Sequence, residues 1–204
     1  GTSVAALKIS TLVLDAVSSL FVFLVGRRLV GVRAAGYATA MFLIGPVGIT
    51  ALSLSSRGFY WSTLICGLVM VLFALRGLDR PARRLDWFVS GIAAGVGFWQ
   101  SPQILYFAIP VIILVAVRLG RAVLSAWPAV AGAGLGALPW LEVNMRDGFP
   151  SLDSPPQAVA TTYVERLRVF GDEGVPVALG LQLRQDWVVP VLAPLALVVL
   201  VVLV

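Results

Sequence analysis

The chain contains no histidine, a single cysteine (Cys66) and only ten acidic residues among 204. Without histidine, any acid or base that this stretch supplies must be a carboxylate, a lysine or a tyrosine. One cysteine excludes an intrachain disulfide and leaves no Cys/His set for zinc. Charged residues make up 12% of the sequence, about half of the roughly 25% usual in soluble domains. What takes their place is apolar: 59% of the residues are hydrophobic and the mean hydropathy is +0.97. An integral membrane protein is the class that fits. No signal-peptide pattern opens the chain, since Gly1 leads straight into a spanning segment. There is no initiating Met, and Val199–Val204 stops inside an apolar run. The expectation is one transmembrane domain over 1–204, cut at both ends from a longer protein. The sequence requires no cofactor, and no spacing of acids, Asp147 and Asp153 included, demands a metal.

A span takes about twenty apolar residues at 1.5 Å rise each. On that ruler the sequence reads as an all-α polytopic helical bundle of about seven membrane segments. They fall at about 3–25, 34–54, 58–75, 86–99, 104–117 and 122–143, with a last span starting near Trp187. The segments at 86–99 and 104–117 are short. Alternate turns collect charge unequally. One side receives Arg27, Arg28, Arg33, Arg76, Arg80, Arg83, Arg84, Arg118 and Arg121, with Asp79 and Asp86 as its only acids. The other receives Arg57 and a loop at about 144–186, whose arginines are matched by seven acids from Glu142 to Asp186. The positive-inside rule assigns the first side to the cytoplasm and the loop to the outside. The basic balance is therefore an orientation signal, and no nucleic-acid partner is expected.

Lys8 and Asp15 are ionisable residues inside the first span. Such groups cost roughly 2.5–3.5 kcal/mol each at bilayer depth, so they face a partner or a wet cavity. Seven residues apart, they project from one helical face. The plainer alternatives are helix docking for the pair and snorkelling for Lys8. The short segment Trp87–Trp99 breaks at Gln100-Ser101-Pro102-Gln103, and non-helical backbone at membrane depth needs protein or water around it. Gly91/Gly95 and Gly132/Gly136 are small-xxx-small pairs, a sign of close helix packing. Trp61, Trp99, Trp140 and Trp187 fall near outer ends of spans, as an aromatic belt requires. Glu142 and Arg146 have the spacing of an ion pair on one helix face, and Asn144 and Arg146 suit the capping of that helix. In the outer loop, 161–170 reads as a short amphipathic helix, with Tyr163, Val164, Leu167 and Phe170 opposite Glu165, Arg166 and Arg168.

Five stretches, taken in order, carry a resemblance: 1–46 with its Gly-Arg-Arg-Leu turn, SRGFYWSTLICGLVMVLFALR at 56–76, SGIAAGVGFWQSPQILYFAIP at 90–110, GALPWLEVNMRDGFPSL at 136–152 and YVERLRVFGDEGVPVALGL at 163–181. Together they resemble the GT-C-type membrane glycosyltransferases, the broad bacterial group similar to protein O-mannosyltransferases and aminoarabinose transferases. The resemblance implies transfer of a sugar from a polyprenyl-phosphate-linked donor to an acceptor protein, lipid or glycan. The reaction would lie on the extracytoplasmic side of the bacterial cytoplasmic membrane. It further implies that the catalytic Asp sits in an outer loop upstream of Gly1, so no catalytic residue is expected here. A leaving phosphate gains charge, which a nearby cation stabilises. Lys8 is the first candidate for that role and Arg57 the second, with a solvated loop charge as the alternative for Arg57. Tyr60, Gln100, Gln103 and Tyr106 are candidates for contact with sugar or acceptor, the tyrosines being equally suited to the aromatic belt. A transporter or a non-catalytic membrane scaffold is the competing reading. The buried charges and the broken segment fit a solute pathway, but the internal repeat that many transporters show is missing.

Overall fold

The structure is a computed structural model that describes residues 4–44, 58–149, 162–174, 182–183 and 186–187. The all-α expectation holds. Helices α1 (Val4–Val30), α2 (Val32–Ile44), α3 (Gly58–Asp79) and α4 (Arg84–Gln100) are followed by a 3-10 turn at Pro102–Ile104 and by α5 (Leu105–Leu119). A second 3-10 segment, Gly120–Ala126, leads into α6 (Trp127–Gly136), α7 (Leu138–Asp147) and α8 (Tyr163–Val169). The extended backbone among the described residues includes β1 (Gln182–Leu183) and β2 (Asp186–Trp187), an antiparallel pair of two residues each. Among the described residues, three stretches, Ile9–Val30, Tyr60–Asp79 and Pro102–Gly136, are long and apolar enough to cross a membrane. The chain divides into two compact units, one of 1–43 with 56–154 and one of 44–55 with 155–204.

In the first unit α1 runs five residues past its expected end, because Arg27 and Arg28 favour helix and lie where the helix dipole welcomes cations. Gly31 then turns the chain at φ +90, a backbone region open to glycine. The second half of the expected second span, 45–54, lies outside the described residues, as does the last span beyond Trp187. Helix α3 is the hub, packed against α1, α4 and α5. Its glycine at 77 leaves room for the Trp87 ring, which a Cβ there would meet at 2.7 Å. Trp87 is 2% exposed, donates from Nε1 to the Pro81 carbonyl at 3.2 Å, and packs with Ala74 and Val115 at the centre of the core. Ser90 donates to the Met70 carbonyl at 3.0 Å, so its hydroxyl is satisfied between α4 and α3.

Helices α4 and α6 lie in direct backbone contact. A Cβ on Gly91 would sit 2.0 Å from the Ala129 carbonyl oxygen, and one on Gly95 2.2 Å from that of Ala133. Reciprocally, a Cβ on Gly132 would meet the Phe88 carbonyl oxygen at 2.2 Å, and one on Gly136 that of Ile92 at 2.5 Å. The two small-residue pairs are thus the two halves of one parallel interface, with sequence rising together along both helices. Close approach gathers many weak dispersion contacts, the main source of helix affinity where lipid removes the hydrophobic drive.

Two expectations need correction. The helix expected at 122–143 is three pieces: the 3-10 segment to Ala126, then α6, then α7. Pro128 and Pro139 each sit in the first turn of the piece that follows them. A proline lacks the N–H that a continuous helix needs, and is tolerated where no intrahelical partner exists. Trp61 is not a belt residue, being 5% exposed and edge-on to Phe42 of α2 at 6.0 Å.

The second unit contains α8, which confirms the helical reading of 161–170 in a shorter form. Thr162 closes a capping box: its hydroxyl accepts from the Glu165 N–H while the Glu165 carboxylate accepts from the Thr162 N–H. A single π turn, Phe170–Gly174, ends the helix.

Candidate functional site

The short α4 positions the polar break. It has 17 residues, about 25 Å at 1.5 Å per residue, and ends at Gln100. Ser101 is extended (φ −164) and its hydroxyl accepts from the Gln103 N–H at 3.3 Å, starting the 3-10 turn. Ile104, 1% exposed, anchors that turn in the bundle. Ser62, in the first turns of α3, donates to Gln100 Oε1 at 3.3 Å. Tyr60 at the start of α3, Gln100 at the end of α4, and Gln103 and Tyr106 around the turn into α5 therefore lie toward one end of the unit. Their exposure differs in degree, from 36% for Tyr60 to 80% for Tyr106. The described part of this end offers amide, hydroxyl and phenol groups, which suit hydrogen bonding to sugar hydroxyls.

Helix α7 flanks the same end. Trp140 is edge-on to Phe98 of α4 at 5.1 Å and to Phe149 at 6.4 Å. Asn144 is buried, but its side chain does not cap the helix end: Nδ2 donates to the Trp140 carbonyl one turn back at 2.8 Å, and its backbone carbonyl accepts from the Phe149 N–H at 2.7 Å. Glu142 and Arg146 pair at 2.7 Å, so neither reaches toward the Gln100 turn as a free charge. Among the described residues no group of three or more His, Cys, Asp or Glu converges on a common point.

Lys8 lies in the second turn of α1, and Arg57 lies outside the described residues. Farther along α1, Asp15 is half-buried on a face where Thr11, Ser18 and Val25 are buried. Ser18 and Ser19 return their hydroxyls to the Leu14 and Asp15 carbonyls at 2.8 Å.

The opposite end holds an arrangement that the sequence reading took only as an orientation signal. Arg28 of α1 pairs with Asp79 of α3. Asp86 of α4 is 1% exposed, with Arg76 Nε 3.5 Å from one carboxylate oxygen and Arg83 Nε 3.5 Å from the other. Neither oxygen has a hydrogen bond of ordinary geometry, so the contact is ionic. Arg76 also lies over the Phe73 ring at 4.9 Å, and Arg27 over Phe23 at 5.9 Å. The i,i+3 spacing of Arg83 and Asp86 was a signal for one of these pairs. Nothing local marks Arg28–Asp79 or Arg76–Asp86.

These observations define a helical membrane bundle with a polar, hydroxyl- and amide-bearing break at one end and a charged cluster at the other. The chain is 28% identical over 146 residues to undecaprenyl phosphate-alpha-4-amino-4-deoxy-L-arabinose arabinosyl transferase 2 of Proteus mirabilis, covering 67% of this chain and 26% of that protein. It is 29% identical over 161 residues to undecaprenyl phosphate-alpha-4-amino-4-deoxy-L-arabinose arabinosyl transferase of Pseudomonas aeruginosa, covering 72% and 28% respectively. The likeness supports a relationship to membrane glycosyltransferases. The chain spans about a quarter of the length of these curated relatives. No family model matches the chain, and no solved structure does.

Proposed function

We propose that this chain belongs to a GT-C-type membrane glycosyltransferase that moves a hexose or pentose from a polyprenyl-phosphate carrier to an acceptor protein, lipid or glycan. The reading rests on one observation: about two thirds of the chain aligns with transferases whose names specify an undecaprenyl-phosphate-linked sugar. The polar break at Gln100–Gln103 is consistent with it. The protein resides in the bacterial cytoplasmic membrane, with the 144–186 loop and the Gln100 end facing outward.

An acceptor oxygen attacks the anomeric carbon, the bond from that carbon to the phosphate oxygen breaks, and the electron pair leaves with the lipid phosphate. The acceptor proton passes to a carboxylate base that no residue of this chain is assigned to supply. Lys8 and Arg57 stabilise the charge that grows on the leaving phosphate, an effect strongest where water is scarce. Gln100, Gln103, Tyr60 and Tyr106 hold the sugar and the acceptor.

The test uses the full-length protein in proteoliposomes loaded with a polyprenyl-phosphate-linked sugar, and follows release of polyprenyl phosphate. Lys8→Ala and Arg57→Ala are each expected to lower kcat on the order of 100-fold, as removal of one charge-stabilising donor does. Lys8→Arg should recover part of the loss. Turnover unchanged in both alanine variants removes these residues from the phosphate site.

A further inference from the structure

The charged end encloses a cavity of about 560 Å³ lined by Leu24, Arg27, Arg28, Leu72, Arg76, Asp79, Arg80, Arg83 and Asp86. Five arginines and two aspartates share this volume, an excess of three positive charges. Orientation by the positive-inside rule needs arginines in the turns. It does not need them to converge from α1, α3 and the α3–α4 turn around one hollow. The two acids account for Arg28, Arg76 and Arg83. Arg27 and Arg80 have no ion pair among the described residues. Leu24 and Leu72 sit one helical turn deeper than Arg27 or Arg28 and Arg76, so the wall passes from cationic to apolar along the direction of the spans.

From this geometry we infer that the cavity is a binding site for the phosphate headgroup of an anionic membrane phospholipid. The volume falls in the range of small-molecule sites, roughly 300–1,000 Å³. Guanidinium groups pair with phosphate oxygens through parallel N–H donors and are the preferred cations for that purpose. Basic pockets between spans at the cytoplasmic face bind anionic headgroups for the same reason. Asp86 is the positioning residue. Buried beneath the pocket, it holds Arg76 and Arg83 from opposite sides and keeps both guanidiniums in the wall. Arg27 and Arg80 supply the unneutralised charge that the phosphate meets. The leucines contact the first carbons of the acyl chains. The site lies at the end away from the Gln100 turn, so it is independent of sugar transfer.

The test is native mass spectrometry of the full-length protein in detergent with phosphatidylglycerol added, against phosphatidylcholine as the zwitterionic reference. The expected result is a retained phosphatidylglycerol adduct that millimolar inorganic phosphate does not displace. At about fivefold per arginine near a headgroup, R27Q/R80Q should weaken that adduct on the order of thirtyfold, and R27K/R80K should recover much of it. R118Q/R121Q changes two arginines of the same membrane face outside the cavity, and should leave the adduct within about twofold. Size-exclusion profiles verify that each variant is folded. Equal retention by wild type and R27Q/R80Q overturns the site. An equal loss in R118Q/R121Q overturns it in favour of general surface attraction. Displacement by inorganic phosphate overturns the lipid assignment and leaves a soluble phosphate anion as the ligand.

Discussion

Substituting Gly91 by alanine tests the α4–α6 interface most directly. The added Cβ would stand 2.0 Å from the Ala129 carbonyl oxygen and 2.7 Å from its carbon. Comfortable carbon contacts begin at about 3.5 Å, so the helices must separate by roughly 1–1.5 Å. The obstacle is backbone, which cannot rotate aside like a side chain. Overpacking of this kind costs about 1–3 kcal/mol, while alanine returns about 0.5–1 kcal/mol of helix propensity. The net loss is up to about 2.5 kcal/mol, which at about 2–4 °C per kcal/mol for a domain of this size lowers Tm by up to roughly 10 °C. Gly134 of the same helix, α6, is the control, since a Cβ there meets nothing within 4 Å. Gly134→Ala keeps only the propensity gain and should raise Tm by about 1–4 °C. The assay is thermal unfolding of the full-length protein in one detergent, read by intrinsic tryptophan fluorescence. Equal shifts of the same sign for Gly91→Ala and Gly134→Ala would refute the reasoning. Gly91→Ala and Gly132→Ala open the same interface, so the double variant should lose less than the two shifts added together.

Asp86→Asn leaves Arg76 and Arg83 facing each other without the buried carboxylate. It should cost about 1–3 kcal/mol of stability in the same assay, a value below that of fully buried pairs because both arginines are partly exposed. Glu142→Gln removes an exposed i,i+4 pair and should cost less than 1 kcal/mol; a larger loss than for Asp86→Asn would contradict the burial difference. Thr162→Ala breaks the capping box at about 1 kcal/mol. Amide exchange over 163–167 should then speed up by about fivefold, and unchanged exchange would mean that the cap does not hold α8.

Hydropathy placed most of the described helical stretches, because a chain facing lipid must satisfy every backbone group within itself. The break at Gln100-Ser101-Pro102-Gln103 was equally legible, since proline and a polar run interrupt that pattern locally. So was the Glu142–Arg146 pair, which needs only the period of one helix. Pro128 and Pro139 stood in plain view, yet an unbroken apolar composition outweighed them in the sequence reading, and the long helix proved to be three. Of the site candidates, Tyr60, Gln100, Gln103 and Tyr106 lie toward one end because α3 starts, α4 ends and α5 starts there, and Ser62 of α3 donates to Gln100 of α4. The glycine pairs announced close packing but not their partner. Only the register of α4 against α6 matched Gly91 with Ala129 and Gly132 with Phe88. The same holds for charge. Arg28 and Asp79 are 51 residues apart, and Asp86 looked like one more polar residue in a basic turn. Burial and ion pairing between distant residues follow from helix crossing and rotation. A one-dimensional pattern specifies which face is apolar, while the packing of three helices decides which charges that face encloses.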